Sequence, residues 1–218
     1  MKKAVVFDLD GTLLDTLADL THAVNHFLRS HSFPERSDAE VRSFLGSGAK
    51  YLIKCSLPYE CDGETLEKYL REYVEYYNAH SNIETKPYDG VLELLRSLRE
   101  KGIATAIVSN KPDAAVKELS REYFGDLIDF AVGDRADISR KPSPDPVHLA
   151  LRTLGCSDAV FVGDSEIDVQ TAKNAEIPCV CVTWGFRDKD QLIENGAEIF
   201  ASSSEELKNA IFKSLGLE

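Results

Sequence analysis

Short apolar runs alternate with amphipathic helical patterns along most of the chain, and this alternation strongly restricts the possible folds. The apolar runs cover residues 4–9, 103–109, 127–132, 159–162, 177–182 and 197–200. Several of them are apolar on both faces, as strands buried on both sides of a parallel sheet are. The helical patterns between them cover residues 90–100, 112–123, 144–154, 166–174 and 205–215. We therefore predict an α/β fold with a doubly wound, Rossmann-like parallel sheet.

One long stretch, residues 16–82, interrupts the alternation. Apolar residues recur there at helical spacing, and no run has the pattern of a strand. A crossover between two parallel strands requires one helix, whereas this stretch has room for several. We therefore expect an all-helical domain of residues 16–82, inserted after the first strand into an α/β core of residues 1–15 and 83–218.

The formal net charge of −12 argues against two common classes of partner. A surface this acidic repels nucleic acid and anionic lipid, so we expect neither to bind. An anionic substrate would need a local cation, either a metal ion or a well-placed lysine, to offset the charge of the whole chain.

The cysteines and the N-terminal residues indicate the cellular compartment of the protein. None of the five cysteines are spaced as C-x-x-C, so we interpret them as core residues of a protein in the reducing cytoplasm. The N-terminal apolar run is broken by Asp8 and Asp10, too soon for an export signal. No apolar run approaches the ~20 residues that a membrane-spanning helix requires.

Polar clusters follow four of the predicted strands or the loops next to them. Asp8 and Asp10 end the first strand, and Ser109 and Asn110 end the second. Alone, each pair has an ordinary explanation, namely a solvated strand end or the cap of the next helix.

The other two clusters lie further along the chain. Lys141 precedes a proline-rich turn, and Asp164 and Asp168 follow a buried strand, four residues apart on one helix face. In doubly wound sheets, ligands bind beyond the carboxyl ends of the strands. All four clusters would meet there and supply carboxylates, a lysine, a hydroxyl and an amide. This set of groups suits Mg²⁺ together with a phosphoryl group.

The motifs resemble those of the haloacid dehalogenase superfamily, and in particular its phosphoglycolate phosphatase-like branch. The matching features are DLDGT at positions 8–12, Ser109 at a strand end, Lys141 before a proline, and Gly163-Asp164 followed by Asp168. The resemblance implies a Mg²⁺-dependent phosphatase that acts on small phosphorylated metabolites through an aspartyl-phosphate. It also implies that the inserted helices form a cap domain over the site.

The resemblance assigns a role to each motif residue. Asp8 would be the nucleophile and Asp10 the general acid and base. Asp8, the main-chain carbonyl of Asp10 and Asp164 would bind Mg²⁺, with Asp168 orienting them from behind. The remaining polar residues, Ser109, Asn110 and Lys141, would hold the transferring phosphoryl group.

A loop in the inserted segment resembles the cap loop of the same branch. Gly46, Ser47 and Gly48 would let main-chain N–H groups approach a small anionic substrate, although a turn between two helices has the same composition. The sequence assigns no role to the cap lysines Lys50 and Lys54. Arg187, which follows a predicted strand end, is open to a substrate-facing role.

Other activities on the same fold stay open to different degrees. A β-phosphoglucomutase-like phosphomutase or an inorganic pyrophosphatase shares Asp8 and Asp10. A dehalogenase or a phosphonoacetaldehyde hydrolase usually lacks the second aspartate, so Asp10 argues against both. A binding module that has lost turnover would be expected to lack one of the motif residues. The sequence determines neither the physiological substrate nor the oligomeric state.

Overall fold

A six-stranded parallel sheet forms the larger part of the molecule in the computed structural model, which describes residues 2–80 and 82–217. Across the sheet the strands are β5 (Phe130–Asp134), β4 (Ala104–Pro112), β1 (Lys3–Phe7), β6 (Asp158–Gly163), β7 (Cys179–Val182) and β8 (Ile199–Ala201). Numbered among these strands alone, the order is 3-2-1-4-5-6, which is the Rossmann order. The predicted α/β fold class is therefore confirmed.

Helices cover both faces of this sheet. They are α5 (Val91–Glu100), α6 (Asp113–Tyr123), α7 (Asp145–Leu154), α8 (Glu166–Asn174), α9 (Lys189–Glu194) and α10 (Ser204–Ser214). Alternate strand residues point to opposite faces. Val5 and Phe7 of β1 accordingly pack with α5, α6 and α10, and Val6 packs with α7 and α8. Both faces are buried, which accounts for the strands that are apolar on both sides.

Four helices form a separate bundle between β1 and β4 in the chain. They are α1 (Leu17–Ser30), α2 (Asp38–Phe44), α3 (Ala49–Ser56) and α4 (Gly63–His80). Their buried apolar residues form a cluster of their own, which includes Val24, Phe27, Ile53 and Tyr73. Phe186, from the loop after β7, joins this cluster and packs the bundle against the sheet.

Short pairings hold the two ends of the bundle together. Strands β2 (Leu14–Asp15) and β3 (Lys86–Pro87) form an antiparallel ribbon at the point where the chain leaves and re-enters the sheet domain. The buried carboxylate of Asp19 accepts hydrogen bonds from the main-chain N–H groups of residues 83–85. The sequence did not predict β2 and β3, because two residues are too few to show a period.

The remaining differences from the sequence prediction are small. The strand predicted at 127–132 begins at Phe130, because Gly125–Leu127 forms a 3₁₀ turn. The six-residue helix α9 was not predicted. Within the part of the chain that the structure describes, no helix combines the length and apolar character needed to cross a membrane.

Candidate active site

The polar clusters predicted from the sequence meet at the carboxyl edge of the sheet. Asp8 follows β1, Asp164 follows β6, and Ser109 and Asn110 lie near the end of β4. Lys141 reaches the same edge from the loop before α7. Because β1 is central between β4 and β6, these residues surround the point where the strand order reverses, as expected for a ligand site.

Three carboxylates and one ammonium form the innermost part of the site. Oxygens of Asp8, Asp164 and Asp168 lie within 4.8 Å of one another, and all three residues are buried. Lys141 Nζ lies 2.9 Å from Asp8 Oδ1 and 2.7 Å from Asp168 Oδ1. Three carboxylates share this one ammonium, so two negative charges within the cluster are left without a cation among the described residues.

Asp168 is held from several sides. Its Oδ2 accepts hydrogen bonds from the N–H groups of Asp164 and Ser165 and from the Ser165 hydroxyl, while its Oδ1 accepts one from Lys141. With both oxygens engaged, Asp168 fixes the start of α8 and the direction of the Lys141 side chain. This arrangement agrees with an orienting role behind the other carboxylates.

Asp164 lies in a tight cradle. Its Oδ1 accepts a hydrogen bond of 2.9 Å from the Thr12 hydroxyl, and its Oδ2 accepts one of 2.7 Å from the N–H of Phe186. A Cβ atom at Gly11 or at Gly185 would collide with its side chain. Gly11 also has a φ of +80°, which L-residues rarely adopt. The glycine of the DLDGT motif therefore leaves space for the Asp164 side chain and also permits this backbone conformation.

Burial dominates the electrostatics of the cluster. It raises the pKa of Asp8 to about 7 against the opposing charge of Lys141. Burial, followed by the charges of Asp168 and Asp8, raises the pKa of Asp164 well above its usual range. For Lys141, burial alone would lower the pKa, but Asp168 and Asp8 outweigh it and the pKa is raised. Carboxylates this close and this buried are costly to ionise together unless a further cation joins them.

Asp10 lies beside this cluster and pairs with a lysine to which the sequence analysis gave no role. Lys111 Nζ lies 2.9 Å from Asp10 Oδ1 and 3.0 Å from Asp10 Oδ2. The same ammonium lies 4.6 Å from the centre of the Tyr77 ring of α4. Lys111 is two residues after Ser109 on β4, but the register with β5 shifts between Val108 and Pro112, so strand alternation in the sequence does not indicate the direction of the Lys111 side chain.

Ser109 and Asn110 border the same space. Both are buried, and the Ser109 hydroxyl accepts a hydrogen bond of 3.3 Å from the N–H of Lys111. The side-chain amide of Asn110 donates to the carbonyls of Gly46 and Lys141, at 3.1 Å and 3.0 Å. Asn110 thus connects the sheet edge, the Lys141 loop and the α2–α3 loop.

A cavity of about 50 Å³ lies between the sheet edge and the helical bundle. Asp8, Asp10 and Asp164 line it from the sheet side. From the bundle and from the loop after β7 it is lined largely by apolar and aromatic residues, namely Leu20, Leu45, Ala49, Leu52, Tyr73, Val74, Tyr77 and Phe186. A buried water needs ~10–15 Å³ on this scale, so the space suits a group of only a few heavy atoms.

The predicted cap loop lies partly at this cavity. Gly46 and Gly48 line it, whereas Ser47 lines a separate polar pocket that also contains Arg187. Lys50 pairs with Glu67 on the bundle surface, and Lys54 is exposed. Neither of these lysines lines the cavity.

Arg187 lies at the seam between the bundle and the sheet domain. It forms an ion pair of 2.7 Å with Glu166 and donates hydrogen bonds to the carbonyls of Arg42 and Leu45 at the end of α2. Arg42 in turn donates to the carbonyl of Gly185 and to Asp188. Arg187 therefore joins the two parts of the molecule and does not line the cavity at Asp8.

Comparison with known proteins identifies the family of the chain. The family model described as haloacid dehalogenase-like hydrolase matches residues 5–182. A phosphoglycolate phosphatase of Rhodobacter capsulatus is 35% identical over 86% of this chain and 87% of its own length. An N-acetylmuramic acid 6-phosphate phosphatase of Pseudomonas aeruginosa is 27% identical over 98% of this chain and 96% of its own.

The whole fold is also similar to that of a solved structure. A protein of Lactobacillus delbrueckii subsp. bulgaricus, described as a candidate phosphoglycolate phosphatase, superposes with a TM-score of 0.89 and 36% identity. The superposition covers 97% of this chain and 99% of that protein. The resemblance drawn from the motifs is thus confirmed, and the chain belongs to the haloacid dehalogenase-like hydrolases.

Proposed function

We propose that this hydrolase is a Mg²⁺-dependent phosphatase that cleaves small phosphate monoesters through an aspartyl-phosphate on Asp8. The observation that carries the proposal is the position of Asp8, buried at the end of the central strand and paired with Lys141. On one side it is close to Asp164 and Asp168, and it shares the cavity lining with Asp10. The names of the relatives support a phosphate ester as the substrate.

The donor set fits a hard divalent cation. Carboxylate oxygens are ligands that Mg²⁺ prefers, and two negative charges in the buried cluster have no counterion among residues 2–80 and 82–217. We propose that Asp8, the main-chain carbonyl of Asp10 and Asp164 hold the ion, with Asp168 behind them. When bound, the ion would neutralise these carboxylates and the charge of the phosphoryl group.

The chain's own residues account for two chemical steps. In the first, a carboxylate oxygen of Asp8 attacks phosphorus, the bond from phosphorus to the ester oxygen breaks, and Asp10 gives a proton to the departing oxygen. In the second, Asp10 removes a proton from water, the water oxygen bonds to phosphorus, and the bond to Asp8 breaks. Inorganic phosphate leaves and Asp8 is a free carboxylate again. Ser109, Asn110 and Lys141 would hold the phosphoryl oxygens throughout.

We propose further that residues 16–82 act as a cap domain. The bundle has its own apolar cluster, and both of its connections to the sheet domain lie at the β2–β3 ribbon. Such a cap would exclude water from the site and contact the leaving group. The small cavity favours a leaving group such as glycolate over a sugar.

Phosphate release from a panel of esters tests this function. The panel would contain phosphoglycolate, N-acetylmuramic acid 6-phosphate and a simple aryl phosphate, each with Mg²⁺ and with chelator. We expect release only with Mg²⁺, and the highest kcat/KM for phosphoglycolate. If no ester is hydrolysed while pyrophosphate is split or a sugar 1-phosphate is isomerised, the pyrophosphatase or the phosphomutase replaces this proposal.

A further inference from the structure

We propose that Lys111 is a specificity-determining residue, which binds a carboxylate on the leaving group of the substrate. The inference rests on the proposed phosphatase function and deepens it, because it names the chemical class of the leaving group: a small alcohol that carries a carboxylate close to its hydroxyl. It concerns a residue that neither the motifs nor the two chemical steps require.

Charge is the first argument. Among the described residues that line the cavity, Lys111 is the single cationic one. Lys141 forms ion pairs with Asp8 and Asp168, does not line the cavity, and is assigned to the phosphoryl group and not to the leaving group. A phosphate monoester with a carboxylate brings extra negative charge into a chain whose net charge is already −12. A cation at the leaving-group side is needed to accept it, and the described lining offers Lys111 alone.

Distance is the second argument. If Asp10 gives its proton to the departing oxygen, that oxygen is one hydrogen bond from the Asp10 carboxylate. Lys111 Nζ is 2.9 Å from the same carboxylate. Two hydrogen bonds in sequence span at most ~6 Å, so the departing oxygen lies within that distance of the ammonium. A carboxylate on the carbon that bears this oxygen can therefore reach Lys111, as it would in phosphoglycolate.

The surroundings of Lys111 are the third argument. Its side chain is only 3% exposed, lies over the Tyr77 ring, and has no ion-pair partner other than Asp10 in residues 2–80 and 82–217. The neighbouring lining from the bundle is apolar, and includes Leu20 and Val74. A charge-assisted hydrogen bond is strong where water is excluded, so this ammonium discriminates well between a carboxylate and a neutral group of the same shape.

The first test requires no variant. It compares kcat/KM for phosphoglycolate with that for the phosphate ester of glycolamide, in which a neutral amide replaces the carboxylate at nearly the same volume. We expect the wild-type protein to prefer phosphoglycolate by about 10- to 100-fold. Equal values for the two esters would overturn the proposal while leaving the phosphatase function intact. Release from neither ester would instead count against the proposed function itself.

A pair of lysine variants then assigns the preference to Lys111. Lys111→Met removes the charge and retains most of the length of the side chain, and Lys54→Met is the control at an exposed lysine of α3. We expect Lys111→Met to reduce the preference for phosphoglycolate to about threefold or less, and Lys54→Met to retain it. If Lys111→Met lowers kcat/KM for both esters by the same factor, the lysine only positions Asp10 and the proposal is wrong. Should Lys111→Met fail to fold, equal kcat/KM values for the two esters with the wild-type protein would still overturn the proposal.

Discussion

The two sides of the cavity differ in how firmly their side chains are held. On the sheet side, called the floor here, Asp8, Asp164, Asp168 and Lys141 are buried and joined by ion pairs and hydrogen bonds of 2.7–3.2 Å. On the bundle side, called the roof, residues such as Leu20, Leu52 and Tyr77 make mainly apolar contacts. Directional contacts fix reacting groups, whereas apolar contacts exclude water and set the size of the space. We therefore expect floor substitutions to abolish turnover, and roof or seam substitutions to change stability, substrate preference or kcat/KM by much smaller factors.

Asp8→Asn should have the largest effect. It removes the proposed nucleophile with almost no change of shape, so we expect kcat to fall by about 10⁴-fold or more. The same change removes one of the buried negative charges, so the melting temperature of the metal-free protein should rise or stay the same. Phosphate release and a thermal melt in chelator measure the two effects. Activity near the wild-type value would contradict the assignment of Asp8.

Asp10→Asn should be the next largest in effect. The variant loses the proton donor of the first step and the base of the second, and each role is worth about 10²- to 10⁴-fold. Because the second step then has no base, a phosphorylated protein should accumulate with a good leaving group such as an aryl phosphate. Intact-protein mass spectrometry would detect the added phosphoryl group. Rapid release of phosphate with no detectable phosphoprotein would assign the base to another residue.

Arg187→Met tests the seam between the two sides. It removes the ion pair with Glu166 and the hydrogen bonds to α2, while the floor residues keep their contacts. We expect kcat/KM to fall by about 3- to 30-fold, because the bundle would close over the site less firmly. Arg152→Met, at an exposed arginine of α7, is the control. An Arg187→Met variant with wild-type kcat/KM would show that the seam contacts do not contribute to turnover.

The floor was more predictable from the sequence than the roof for a physical reason. Asp8, Lys141 and Asp164 are attached to strand ends, and parallel strands bring their carboxyl ends to one edge whatever the rest of the chain does. The α1–α4 bundle has no such rule, since its helices contact the site through packing that periodicity alone does not specify. Tyr73 and Tyr77 have the spacing of core residues, and only the structure reveals that they also line the cavity.

The contacts of two single residues, Lys111 and Arg187, could not be predicted from the sequence for the same reason. Lys111 follows Asn110 in the sequence, and nothing in a linear pattern indicates that its ammonium turns to Asp10 and to the Tyr77 ring. Arg187 follows β7 and was open to a substrate-facing role, but its partner Glu166 and the end of α2 are 21 and more than 140 residues away in the chain. Long-range ion pairs of this kind depend on the three-dimensional arrangement of loops.

Tyr77→Phe should have the smallest effect, and one of opposite sign to that of a matched tyrosine variant on the same helix. The Tyr77 hydroxyl is buried and has no hydrogen-bond partner in the part of the chain that the structure describes. Removing a buried group without a partner relieves a desolvation cost, so we expect the free energy of unfolding to rise by about 1 kcal/mol. The ring under Lys111 is retained, and kcat/KM should change by about threefold or less.

The matched control is Tyr69→Phe, also on α4, whose hydroxyl lies 3.1 Å from that of Tyr59. Because that variant loses a hydrogen bond, its free energy of unfolding should fall by about 0.5–1.5 kcal/mol. Urea denaturation of both variants measures these changes in the free energy of unfolding. If Tyr77→Phe is destabilised as much as Tyr69→Phe, the Tyr77 hydroxyl has a partner in solution, and the roof is more polar than its apolar lining indicates.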